Sequence, residues 1–157
     1  MKHTDSELRD ILKSTKVIAG IGMSPNTIRP SFIVGRYLSQ RGFKVIPINP
    51  GHGGKEMFGA SVFPDLASIP NGSEVDMIDI FRKSEAVPGI LDEALEVLPN
   101  LRTVWMQIGV EHEEAAEKAR SRGLNVIMNR CPKIEYSRLF GELRMGGFNT
   151  GVISSKL

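Results

Sequence analysis

Lys16-Val17-Ile18-Ala19-Gly20-Ile21-Gly22-Met23-Ser24 is the stretch that decides the fold. Its stretch over residues 16–21, without a polar side chain after Lys16, reads as a strand covered on both faces, as in a parallel sheet. The run ends in Gly20-Ile21-Gly22. Glycines there let the backbone approach a phosphate, and free N–H groups at the following helix start attract the anion. A full dinucleotide fingerprint would have a third glycine at position 25, where this chain has Pro25. The loop then runs through Asn26, Thr27, Ile28, Arg29 and Pro30 before a helix predicted over 31–40. Arg29 puts a guanidinium at that helix mouth, a group suited to phosphate. The same glycines would also serve a plain tight turn, so the bend alone leaves both readings open.

Outward from this bend the chain alternates short apolar runs with longer amphipathic ones, the pattern of βαβ units. Thr4 or Asp5 caps a predicted first helix to residue 14, with Glu7 placed for a capping box. Further strands are predicted at 43–48, 75–81, 102–107 and 124–128, with a short one near 61–63. Helices are predicted at 84–98, 111–122 and 134–143. Asn49-Pro50-Gly51-His52-Gly53-Gly54 is a turn-rich loop. The expectation is a Rossmann-like, doubly wound α/β fold: five mostly parallel strands with helices on both faces. A single domain is expected over 1–157, with its core at about 8–145 and an irregular glycine-rich C-terminal tail.

Composition narrows the function classes. The 157 residues are 41% hydrophobic and 24% charged, and the scattered net charge of +2 argues against a nucleic-acid surface. The longest apolar runs, at 45–48 and 77–81, are far short of the roughly 20 residues of a membrane span. The polar N-terminal stretch lacks the apolar core of a secretory signal. One cysteine, Cys131, excludes an internal disulfide and fits a reducing cytoplasm, the expected location. Ser155-Lys156-Leu157 matches a peroxisomal import tripeptide, a match three residues make easily by chance.

Candidate chemistry is sparse. Nicotinamide sites usually carry Asp or Glu at the end of the second strand, yet no carboxylate occurs between Gly22 and Glu56. Glu111-His112-Glu113-Glu114 lacks metalloprotease spacing because position 116 is alanine, and a helix dipole explains those acids. No metal site is expected. There is no G-x-S-x-G elbow, and Gly53-Gly54-Lys55 is not a P-loop. Trp105 reads as core, and His52 as solvent-exposed. No catalytic set is complete, which leans the expectation away from an enzyme.

With these residues assembled, the chain resembles the small CoA-binding protein family, a relative of the CoA-binding domain of the succinyl-CoA synthetase α-subunit. The matching pieces are Gly22-Met23-Ser24-Pro25, Arg29-Pro30-Ser31, Tyr37-Leu38, Gly42-Phe43-Lys44-Val45-Ile46-Pro47-Ile48-Asn49-Pro50, Val75-Asp76, Phe81-Arg82, Trp105-Met106-Gln107-Ile108-Gly109 and Asn129-Arg130-Cys131. The resemblance implies that coenzyme A lies across the carboxyl ends of the strands. By position, Gly22, Met23 and Ser24 would line the pyrophosphate turn, with Arg29 and Ser31 facing phosphate. Asn49 and Pro50 would sit near the adenosine, Phe81 and Arg82 on a ligand-facing loop, and Gln107 and Gly109 on the pantetheine side. Gly20 replaces a usually apolar residue and is expected to loosen packing.

Cys131 then has two readings: a cysteine packed under the final helix, or a thiol able to pair with that of CoA. The expected function is binding of CoA or acyl-CoA. The alternatives are an acyl-CoA ligase component like succinyl-CoA synthetase, or an NAD(P)-dependent oxidoreductase. The ligase relatives use a phosphorylated histidine on an extra domain, and none of the three histidines here sits in a comparable setting. A protein partner or homo-oligomer is left open.

Overall fold

Five apolar runs form one parallel sheet in the computed structural model, which describes residues 3–70 and 72–141. The strands in chain order are β1 (Val17–Ile21), β2 (Lys44–Ile48), β3 (Glu56–Met57), β4 (Ala60–Ser61), β5 (Met77–Ile80), β6 (Thr103–Met106) and β7 (Asn125–Ile127). The α-helices are α1 (Asp5–Ser14), α2 (Pro30–Gln40), α3 (Val87–Val97), α4 (Glu113–Ser121) and α5 (Pro132–Leu139). The sheet order is β2-β1-β5-β6-β7, and every neighbouring pair is parallel. The chain thus winds outward in one direction from β1 to β2, then in the other from β5 to β7. Open α/β sheets bind ligands at such a reversal, beyond the strand C-termini.

Most elements follow from local chemistry. Thr4 and Glu7 form the expected capping box of α1. Helix α4 starts at Glu113, two residues later than predicted, because the ring of His112 accepts the Ala115 N–H at 3.1 Å and serves as its N-cap. Helix α5 begins at Pro132, earlier than predicted, since a proline is at home in a first helical turn. The predicted strand near 61–63 is smaller than expected. Phe58 and Gly59, both at positive φ, make the two-residue turn of a β3–β4 hairpin, and Phe63 adds one parallel bridge to Ile48. The N-terminal segment is tied across the sheet, with the His3 ring on the Val126 carbonyl at 2.8 Å. The tail, the end of the expected final helix and Ser155-Lys156-Leu157 lie outside the described residues.

Strand alternation builds two apolar layers. Ala19, Ile21, Ile78, Ile80, Val104 and Met106 face α3 and α4. Ile18, Val45, Met77, Trp105 and Ile127 face α1, α2 and α5. Trp105 is fully buried as expected, and its indole N–H donates to the Arg130 carbonyl at 2.9 Å. Arg138 clasps α5 to α1 through two 3.0 Å bonds to Asp5, which hold the Asp5 carboxyl below its ordinary range.

Gly20 does not loosen this packing. The Met23 side chain, 1% exposed, folds back over it, and a Cβ on Gly20 would come within 2.8 Å of Met23 Cγ and Cε. Gly35 in α2 makes room for the same side chain, where a Cβ would also press on the Phe58 ring. The methionine is held between two glycines. Gly20→Ala is therefore expected to cost about 1–3 kcal/mol through overpacking, read by denaturant unfolding. An unchanged midpoint would show that Met23 has room to move.

Asp79 is the exception in the core. It lies on β5 between Gly20 and Trp105, 1% exposed, and neither carboxylate oxygen has a partner among the described residues. Burial raises its pKa well above the carboxylate range. The folded chain thus holds this proton more tightly than the unfolded chain, where such a carboxyl titrates near about pH 4. Its contribution is fully present below that pH and is lost as pH rises toward the folded-state value. Asp79→Asn should flatten this part of the stability–pH curve, relative to wild type, in urea titrations above pH 4. A parallel slope in the variant would contradict it.

Candidate functional site

The bend after β1 is held more firmly than a free loop would be. The N–H groups of Gly22 and Met23 both donate to the Ile48 carbonyl, at 2.8 and 3.3 Å. The Asn49 side chain donates to the Met23 carbonyl at 2.8 Å and accepts the Gly51 N–H at 3.0 Å. Gly22 sits at φ +89, a conformation that favours glycine. The Ser24 N–H donates to the Ser31 hydroxyl at 3.0 Å, and the Asn26 N–H to the Ser24 hydroxyl at 3.1 Å. The bend was expected to offer bare amides; the structure commits them to β2 and to the start of α2. What the loop does present is the first turn of α2. There Phe32 and Ile33 bond the Arg29 carbonyl, and Pro30 has no N–H, so the Ser31 amide remains for a ligand.

A cleft of about 760 Å³ opens at this rim, over the reversal point between β1 and β5. One wall is Gly22, Ser24, Arg29, Pro30, Ser31 and Val34; Asn49 and His52 close the β2 end. Phe81, Gln107, Ile108 and Val110 follow β5 and β6, and Cys131 and Ile134 come from the start of α5. Seven of the eleven residues expected from the sequence therefore meet here: Gly22, Ser24, Arg29, Ser31, Asn49, Phe81 and Gln107. Four do not reach the wall. Met23 is packed beneath it, and Pro50 opens a short 3-10 turn on the surface. Arg82 supports the bend from outside, its stem so close that a Cβ on Gly22 would lie 3.1 Å from Arg82 Cγ. Gly109, at φ +88, donates its N–H to Asn129 Oδ1 at 2.7 Å.

The cleft has the charge of an anion receptor. Among the described residues no carboxylate lines it, while Arg29 and His52 do. The Arg29 guanidinium is exposed and makes no ion pair or hydrogen bond among the described residues. His52 is half-buried rather than exposed, its Nδ1 3.3 Å from Lys55 Nζ. Across the cleft Gln107 is 8% exposed and its Oε1 has no partner among the described residues. A buried acceptor left without a donor is costly, so the Gln107 amide gains if it turns its carbonyl, now closed off from solvent, to a ligand N–H.

A second cleft of about 630 Å³ adjoins the first and shares Ile108, Cys131 and Ile134 with it. Its character is opposite: Glu111, Glu113 and Glu135 line it, with Arg130 paired to Glu135 at 3.3 Å. Ile108 and Ile134, which the sequence reading did not single out as site residues, are exposed at 59% and 50%. Among the described residues no cluster of side chains is arranged to hold a metal ion, and no helix is long and apolar enough to cross a membrane.

Comparison with known proteins places this geometry. Residues 16–137 match the family described as CoA binding domain. The chain is 32% identical over 132 residues to "Uncharacterized protein YneT" of Bacillus subtilis strain 168, covering 84% of this chain and 93% of that protein. Among solved structures, cell-free ID.343 from Thermus thermophilus superposes with a TM-score of 0.80 at 33% identity, covering 88% of this chain and all (100%) of that one. A hypothetical protein from Pyrococcus horikoshii OT3 gives a TM-score of 0.80 at 33% identity, over 88% of this chain and 94% of that one. The fold also recurs within the dinucleotide-forming acetyl-coenzyme A synthetase 1 of Ca. Korarchaeum cryptofilum, with a TM-score of 0.56 at 24% identity, over 71% of this chain and 25% of the enzyme. The family match spans most of the chain and the solved relatives share its fold, and the chain belongs to the CoA binding domain family.

Proposed function

We propose that the rim cleft binds coenzyme A or an acyl-CoA, with the diphosphate against Arg29 and Ser31 and the pantetheine arm running past Phe81 toward Gln107. The observation that carries this reading is the division of the cleft. A free guanidinium and a helix start stand on one side, and an unpartnered buried amide carbonyl on the other. CoA has the same division, an anionic nucleotide joined to an arm with two amide N–H groups. Gly22, Ser24 and Asn49 would shape the phosphate end, while Met23, Pro50, Arg82 and Gly109 would act through the backbone they hold in place.

The oxidoreductase alternative fares worse on the same wall. The end of β2 offers Asn49, whose amide is already bonded to Met23 and Gly51, and no carboxylate for a ribose. A role as part of an acyl-CoA ligase shares the CoA site, and turnover with an acyl donor would support it.

In a thermal-shift series, CoA and acetyl-CoA should stabilise the protein and NAD and NADP should not. Stabilisation reaches about 2.7 kcal/mol at a hundredfold excess over Kd. A shift with NAD alone would sink the proposal. Arg29→Ala should weaken CoA roughly ten- to a hundredfold, the worth of about 1.5–3 kcal/mol for charged hydrogen bonds, with little change in melting temperature because Arg29 is exposed. Gln107→Leu should move two readouts in opposite directions, lowering CoA affinity up to about tenfold while keeping or raising the stability of the free protein. Unchanged affinity would remove Gln107 from the site.

A further inference from the structure

We propose that Cys131 is a modification site at which the protein takes up CoA from a CoA disulfide, forming a reversible mixed disulfide. This rests on the reading of the cleft as a CoA site and adds a covalent step to it.

Sheet topology sets the distance. Arg29 and Ser31 follow β1, and Cys131 follows β7, three strands along in the order β1-β5-β6-β7. Three spacings of about 4.8 Å put the two ends of the cleft about 14 Å apart. The pantetheine arm, from phosphate to sulfur, has the chain length of about four extended residues, which span about 14 Å. An arm anchored by its phosphate therefore ends at β7. Gln107 lies on the way: it follows β6, is 8% exposed and has an orphaned Oε1 closed off from solvent, so a turn of its amide lets it accept an amide N–H of the arm as it crosses.

Cys131 is 6% exposed and packs against the layer that holds Trp105 and Ile127. It also lines both clefts, with the exposed Ile108 and Ile134 beside it at their junction. A thiol placed so is approached along the clefts rather than from open solvent. The two clefts suit the two halves of a CoA disulfide. One half lies on Arg29 and Gln107; the other extends into the second cleft, where Arg130 is already paired with Glu135 and Glu111 stands without a cation partner among the described residues, so its phosphates are held weakly and it departs readily.

The step is a thiol–disulfide exchange. The Cys131 thiol gives its proton to solvent, and the thiolate attacks the sulfur of the bound half. The S–S bond of the CoA disulfide breaks and a Cys131–S–S–CoA bond forms. The departing CoA thiolate takes up a proton and leaves as free CoA. The CoA disulfide is the oxidant, and a second thiol reverses the reaction.

The test is intact-protein mass after incubation with CoA disulfide, and in parallel with glutathione disulfide, on wild type and Arg29→Ala. Cys131 is the only cysteine in the chain, so a single adduct reports on it directly. The expected result is one CoA per chain, released by dithiothreitol, forming at least tenfold faster than the glutathione adduct and at least tenfold slower in Arg29→Ala. Reversible CoA binding is measured separately on wild type kept reduced. Binding without an adduct overturns the modification and leaves the binding site standing; absence of both overturns the two together. Equal rates with glutathione disulfide, or no effect of Arg29→Ala, also overturn it, since the reaction would then owe nothing to the cleft.

Discussion

The Ile48 carbonyl is the point on which the site depends. It receives the N–H groups of both Gly22 and Met23, while Asn49 next to it grips the Met23 carbonyl. Two adjacent strands thereby end in one hydrogen-bonded knot, and the loop from Ser24 to Pro30 leaves it in a set direction. Below the knot Met23 is fixed between Gly20 and Gly35, so that β1 and α2 lie closely together. Arg29 and Ser31 owe their place on the cleft wall to this arrangement rather than to any bond of their own with the sheet.

That arrangement changes the usual account of a glycine-rich turn. In such turns the glycines are credited with baring amides to phosphate. Here Gly20 provides room for a side chain, and Gly22 supplies a positive φ and room for the stem of Arg82. In the proposed CoA site, anion recognition passes to a guanidinium and a helix start. The rim is also divided electrostatically: a cleft without carboxylates around Arg29, and a carboxylate-lined one beyond Cys131. A ligand with an anionic head and a neutral arm has one favourable orientation along that rim.

Much of the fold was legible because burial on both faces of a parallel strand leaves apolar runs, and two of the five, at 43–48 and 124–128, are flanked on both sides by Gly or Asn. The helix starts were less legible, since they depend on cap geometry: a histidine ring at His112 and a proline at Pro132 moved two boundaries. For the site, residues tied to the backbone path, such as Ser24, Arg29 and Asn49, could be placed from order alone. The orphaned state of Gln107 and Asp79 could not be read, because a missing partner is a property of the packed interior. Ile108 and Ile134 were not singled out for a related reason, as apolar periodicity does not say which turn of a helix or end of a strand reaches the surface.

The two outer strands carry one more consequence. On β2, Pro47 has no N–H to donate, and its carbonyl is already taken by the Phe63 N–H at 3.0 Å. On β7, only three residues long, the Val126 carbonyl is occupied by the His3 ring. Unpaired sheet margins are where chains adhere to one another strand by strand. Both margins of this sheet are blunted, which turns any self-association toward helical surfaces and away from fibrous growth.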